Sequence, residues 1–150
     1  MEADHTYLGE LLQIFLAEDK CIEEISQKFQ NFQNHLFVHI ELENNFLFPC
    51  FDKFTGIKPE NGPTAIAMRD HKNIVELLKI IKENCASKDI EKVRKIGARL
   101  NNIMQKHGIR EKKIQYPVSD FFVDQDEWHE VLKKTYGQEL EKVERFINST

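Results

Sequence analysis

From Ile22 onward the apolar residues alternate at spacings of three and four: Ile22, Ile25, Phe29, Phe32 and Leu36, then His39, Glu43 and Phe46. That alternation marks one face of an α-helix packed into a bundle, and it runs unbroken through a histidine and a glutamate. A second stretch repeats it as Val93, Gly97, Leu100, Met104, His107, Glu111 and Ile114. Shorter seams read Ala67, His71, Ile74, Leu78, Ile81 and His5, Leu8, Leu12, Phe15. No segment alternates with the period of two that a strand would need. The chain is expected to be all-α, an up-down-up-down four-helix bundle with an additional C-terminal helix.

Gly and Pro place the boundaries. A first helix is expected from Asp4, as N-cap, to about Phe15 or Leu16, with 17–20 a turn or a continuation. The second should end or kink at Pro49, whose ring clashes with the preceding turn. TGIKPENGP reads as a loop, and Pro63 suits the first turn of the third helix. Ser87 or Asp89 can cap the fourth helix, which Pro117 should close. Asp124 followed by Glu127 resembles a capping box for a last helix ending near Ile147. One domain over 1–150 is expected, with the bundle at about 4–117 and the last helix at about 124–147.

The chemistry lies on the seams. Each main helix sends a histidine inward, and two also send a carboxylate four residues further on. A buried charged carboxylate costs several kcal/mol unless paired or metal-bound, and two in one core repel. Metal ions remove both problems. With antiparallel helices rising about 1.5 Å per residue, His5, His39, Glu43, His71, His107 and Glu111 converge on one end of the bundle. Four imidazoles and two carboxylates divide into two metals, each with two histidines and a share of both glutamates. With an oxo or hydroxo bridge each metal is five-coordinate and keeps an open position. Imidazole with carboxylate suits iron, and also manganese or zinc. A structural zinc site would be closed and usually contain cysteine, so two iron ions are the expected cofactor.

Composition narrows the rest. The 150 residues are 41% hydrophobic, enough for a real core, and the formal net charge is −4 with signs interspersed. No basic stripe points to nucleic acid, and no apolar run is long enough to span a membrane. The N-terminal MEADHTYLGE has neither a basic nor an apolar signal-peptide region, so the expected location is cytoplasmic. Cys21, Cys50 and Cys85 form no C-x-x-C and are read as buried structural thiols, with a redox role for Cys50 or Cys85 the alternative. His35 falls one position off the seam; it is an alternative ligand or a hydrogen-bond donor behind one, and stands outside the expected set. Tyr7 is assigned to the core, with reach to the site the alternative, and His129 to an exposed face. Trp128 is expected to pin the last helix to the bundle. Lys92, Arg94, Lys95 and Arg99 read as a solvated face.

These motifs resemble the hemerythrin superfamily, in its HHE cation-binding branch. The resemblance rests on Asp4–His5, on HIELENNFLFP from His39 to Pro49, on GPTAIAMRDH from Gly62 to His71, and on HGIREKKIQYP from His107 to Pro117. It covers roughly residues 4–120. The Gly62–His71 segment looks most like the di-iron domain of repair-of-iron-centres proteins. The resemblance implies that His5 and His39 bind one iron, that His71 and His107 bind the other, and that Glu43 and Glu111 bridge them. It also implies that Phe46, Phe48 and Tyr116 pack around the cluster. The oxygen carriers of the superfamily have a fifth histidine one turn from the third-helix ligand, where this chain has Ala67 and Val75. They bridge with an aspartate five residues after the last histidine, where this chain has Lys112. Both departures argue against reversible oxygen carriage and for a more reactive or more labile site.

The leading expectation is a non-haem di-iron protein that binds or reacts with dioxygen, nitric oxide or peroxide, or that stores or donates iron to damaged iron centres. An iron- or oxygen-responsive sensor acting through a partner is the second reading. A two-metal hydrolase is the third, disfavoured because a bundle core has little room for a large substrate. The Glu-x-x-His signature of ferritin-type oxidases is absent at the relevant positions. A homodimer or a redox partner protein would be compatible with any of these.

Overall fold

The computed structural model describes residues 2–17, 20–122 and 124–137. Among the described residues it is all-α, with no strand. The helices are α1 (Glu2–Leu16), α2 (Ile22–Leu42), α3 (Phe48–Thr55), α4 (Pro63–Ala86), α5 (Ile90–Arg110), α6 (Tyr116–Phe122) and α7 (Gln125–Tyr136). α1 pairs with α2 and α4 with α5, and the two pairs pack together through α1–α5 and α2–α4. None of the described helices is long and apolar enough to cross a membrane.

α1 begins at Glu2, so Asp4 lies within its first turn and is not its cap. The helix ends at Leu16, with the Lys20 N–H donating to the Ala17 carbonyl; residues 18 and 19 lie outside the described residues. Pro63 opens α4 as expected. Asp89 caps α5 by accepting from the Lys92 N–H, and Asp124 caps α7 by accepting from the Asp126 and Glu127 N–H groups. α7 runs to Tyr136; the expected end near Ile147 lies outside the described residues.

Neither Pro49 nor Pro117 ends its helix. Before each proline the chain widens into a π-helical turn, Glu43–Leu47 and Glu111–Gln115. The Phe48 N–H reaches back to the Glu43 carbonyl, and the Tyr116 N–H to that of Glu111. The register thus shifts by one residue, and the proline falls in the first turn of the next helix, where its missing N–H is not needed. α3 continues to Thr55 and stops on Gly56, whose φ of 68° is the left-handed conformation that glycine adopts without strain. The order helix, helix, π turn, short helix therefore occurs twice. The matching residues Phe54 and Phe122 stack on each other, ring centroids 4.3 Å apart.

The extra residue of each π turn also moves the buried face. The seam does not continue to Phe46 and Ile114: Phe46 is half-buried and Ile114 exposed, whereas Leu47, Phe48, Gln115 and Tyr116 are buried. Upstream, the expected residues from Ile25 to Glu43 and from Val93 to Glu111 are buried, as are all five of the α4 seam. Their main cluster, with Leu8, Leu12, Phe32, Ile81 and Leu100 fully enclosed, fills the end of the bundle away from the histidines. Each such side chain contributes about 1.5–3 kcal/mol on burial, which lets the other end carry polar groups. A smaller cluster of Leu47, Phe48, Ala67 and Tyr116 covers that polar end, with Trp128 of α7 stacked on Phe46 at 5.4 Å.

The cysteines depart from expectation. Cys21 is exposed, and Cys50 and Cys85 are only partly buried; all are free thiols. Cys21 precedes the first turn of α2, outside the seam. Partial burial pushes the Cys50 and Cys85 thiols up, away from the reactive thiolate.

Candidate metal centre

Each histidine–glutamate pair arises from ordinary helix geometry. Residues four apart stack on one face, so α2 presents His39 above Glu43 and α5 presents His107 above Glu111. Each glutamate is the first residue of its π turn. α1 brings His5 and α4 brings His71 from the opposite side. The structure gathers all of these into two groups able to hold a metal ion: His5, His39, Glu43 and Glu111, and Glu43, His71, His107 and Glu111.

Both glutamates belong to both groups, and each gives one oxygen to each. Glu43 Oε1 lies 2.9 Å from His39 Nε2, while its Oε2 lies 3.0 Å from His71 Nε2. Glu111 Oε2 lies 2.8 Å from His5 Nε2, while its Oε1 lies 2.7 Å from His107 Nε2. His71 Nε2 and His107 Nε2 are 3.0 Å apart. Ligand atoms around a metal at about 2.0–2.2 Å sit about 3 Å from their neighbours when the bond angles are near 90°. The observed separations have that size. Glu43 Oε2 and Glu111 Oε1 are buried and accept no correctly directed hydrogen bond, although imidazole nitrogens face them. Orphaned carboxylate oxygens facing nitrogen donors at this distance fit a cation between them.

The imidazoles are held from behind. The His71 Nδ1–H donates to Asn44 Oδ1 at 2.8 Å, and the His107 Nδ1–H to Asp70 at 3.2 Å. Asp70 is itself paired with Arg110. Fixing the proton on Nδ1 turns the Nε2 lone pair inward and raises its basicity. Phe48 stacks on His71 at 5.6 Å. His5 sits against α5 at Gly108, where an added Cβ would come within 3.0 Å of its Nδ1. Glycine at that helix position gives the ring its space.

Without metal the charges pair among themselves. Burial would lower the His107 pKa, but the close carboxylates of Glu111 and Glu43 raise it to about 9. Burial would raise Glu43, but the charge of His39 and the imidazoles of His107, His39 and His5 facing it hold it well below the usual carboxylate range. Glu111 is opposed by burial and by Glu43, and is still lowered by His107 and His5. Metal binding must displace these protons.

All six residues expected from the sequence are therefore brought together. His35 is in neither group; it is buried against Tyr7, ring centroids 4.7 Å apart. His129 is exposed. Asn44, Asp70 and Gln115 escaped the sequence reading. Asp70 precedes a seam histidine, and only a view across helices shows that it serves His107. Gln115 was hidden by the phase shift of the π turn. Tyr116 does more than pack around the cluster. Its hydroxyl donates to Glu43, and it lies 2.6 Å from His5 Nε2 and 3.0 Å from Glu111 Oε2. Burial and the two carboxylates push that phenol well above its usual pKa.

Two spaces adjoin the centre. A groove of about 430 Å³ between α1 and α5 reaches His5 past Gly9, Leu12, Met104 and Gly108. A cavity of about 50 Å³ lies on the other side, beside Ala67, His107, Glu111 and Gln115. Comparison with protein-family models, curated proteins and solved structures finds no match to this chain. The likeness to the hemerythrin superfamily stands on the molecule's own geometry: a hemerythrin-like helical bundle with two HHE-type His/Glu clusters capable of holding metal ions.

Proposed function

We propose that this chain is a non-haem di-iron protein that binds or reacts with a small oxidant such as dioxygen, nitric oxide or peroxide. The observation that carries the reading is the division of each carboxylate, one oxygen facing His5 and His39 and the other facing His71 and His107. A single-metal site would use both oxygens of one carboxylate, or one oxygen alone, within one group. His5, His39, His71 and His107 would each supply Nε2, and Glu43 and Glu111 would bridge. The donor set, nitrogen and oxygen with no sulfur, suits iron. Two irons would supply electrons to, and Lewis acidity toward, a small ligand.

The protein's own contributions are distinct. Asp70 and Asn44 hold protons on Nδ1 of His107 and His71. Tyr116 keeps a proton among Glu43, Glu111 and His5. The apolar clusters on either side exclude bulk water. Two histidines per iron leave coordination positions open, and the adjoining spaces supply the approach. The test is anaerobic reconstitution with ferrous iron, followed by metal analysis and spectra before and after admission of air. Two irons per chain with near-ultraviolet charge-transfer bands growing in air are expected. Absence of iron uptake, or iron with no spectral response to dioxygen, nitric oxide or peroxide, overturns the reading.

A further inference from the structure

The two halves of the molecule carry the same motif with different residues after the glutamate. In the first half, positions four, five and eight beyond Glu43 are Leu47, Phe48 and Phe51, all buried and apolar. In the second half the same positions beyond Glu111 are Gln115, Tyr116 and Ser119, all buried and polar. Packing alone does not require this, since the first half is built without it. Tyr116 is accounted for by the carboxylates. Gln115 is not: its Nε2 is buried and has no hydrogen-bond partner among the described residues. Leaving an amide donor in that state costs about 1–3 kcal/mol.

Gln115 lines the cavity of about 50 Å³ together with His107, Glu111, Ala67, Ile66 and Ile114. One water needs roughly 10–15 Å³, so the space takes about three to five water-sized atoms, enough for a three-atom ligand and nothing much larger. Ala67 forms part of its wall. That residue stands one turn before His71 and is the smallest side chain of the α4 seam. The rest of the lining is apolar, apart from the two metal-group residues, the Gln115 amide and Arg110, whose guanidinium is paired with Asp70.

We propose that this cavity is where a small exogenous ligand sits when it engages the His71–His107 side of the centre, with the Gln115 N–H as the donor that holds its outer atom. The inference rests on the di-metal reading. It adds a side, a size limit and a positioning residue. A donor at that place favours ligands whose outer atom carries negative charge, because charge-assisted hydrogen bonds are about twice as strong as neutral ones. Azide, a three-atom anion, is therefore the probe.

The experiment compares ferric-loaded wild type with Gln115→Leu, Ala67→Leu and Gly9→Leu, reading iron content, azide affinity by optical titration, and the azide infrared stretch. Gln115→Leu copies the first half of the molecule, and Ala67→Leu fills the cavity. Gly9→Leu narrows the other groove, where an added Cβ meets nothing within 4 Å. Gln115→Leu is expected to keep its iron, bind azide at least tenfold more weakly, and shift the stretch. Ala67→Leu is expected to weaken azide at least as much, and Gly9→Leu to leave it unchanged. In the metal-free state Gln115→Leu should melt no lower than wild type, because it removes an unpartnered amide. Azide unaffected by Gln115→Leu and Ala67→Leu in iron-loaded protein, or weakened only by Gly9→Leu, overturns the inference while leaving the metal centre intact. A lower melting temperature of metal-free Gln115→Leu overturns it too, by showing that the amide has a structural partner. Failure of the wild type to take up iron overturns the di-metal reading and this inference with it.

Discussion

Glu43→Gln separates a shared carboxylate from a local one. Glu43 is wholly buried, with Oε1 2.9 and 3.7 Å from His39 and His5 Nε2, and Oε2 3.0 and 3.9 Å from those of His71 and His107. Glutamine keeps the volume and one oxygen, but turns the other into an NH₂ group with no lone pair for a metal. Whichever way the amide faces, one cluster loses its oxygen and the other keeps only a neutral one. Removing a hydrogen-bond partner behind a metal ligand typically costs 10–100-fold in affinity. Removing a ligand that both metals share must exceed the upper end of that range, so a loss of at least roughly 100-fold is expected, or about 2.8 kcal/mol. The assay is anaerobic competition with a ferrous chelator, alongside helicity by circular dichroism and Glu41→Gln as an exposed control on the same helix. Loss at both clusters with helicity unchanged is expected. A two-step titration with one step at wild-type affinity would refute the sharing of Glu43, and unchanged binding would refute its role as a ligand.

Three further outcomes follow from the geometry. Asp70→Asn weakens the hold on His107 Nδ1, so iron at the His71–His107 cluster should bind about 10–100-fold more weakly while the other cluster changes little; the two steps of the chelator titration report this. Gly108→Val pushes into the His5 ring, since even one Cβ comes within 3.0 Å of it; the His5–His39 cluster should fill last or not at all, and isothermal titration should show one site in place of two. For the metal-free protein, His107 is raised to about 9, so its stabilising contribution is full below the unfolded histidine value of about 6.5 and is lost as pH rises through 9. Glu43 and Glu111 are lowered, so theirs is present above the unfolded glutamate value of about 4.3 and is lost as pH falls through their folded values. Urea unfolding of the metal-free chain should show greatest stability between those limits, and a rise in stability from pH 7 to 9 would contradict the assignment.

The ligand set was legible in the sequence because it obeys helix periodicity. His39, Glu43, His107 and Glu111 stand at seam positions upstream of any irregularity, and burial of charge at such positions demands an explanation. Helix pairing follows from the same pattern and from the short loops. The reading stopped at the π turns. Nothing in ENNFL or EKKIQ announces an extra residue in the turn, although a proline two positions beyond each π turn is compatible with one. Periodicity extrapolated through them buried Ile114 in place of Gln115, and had α2 end or kink at Pro49 and α5 close at Pro117, prolines that the register shift accommodates. Asp70 was missed for another reason. It acts across the bundle on His107, and a relation between helices has no periodic signature within one of them.

The most direct test of the central claim is anomalous diffraction at the iron absorption edge from crystals of iron-loaded protein. Two peaks about 3.5–4 Å apart are predicted, one bounded by His5, His39, Glu43 and Glu111 and the other by His71, His107 and the same two glutamates. A single peak, or two peaks that share no carboxylate, would contradict it.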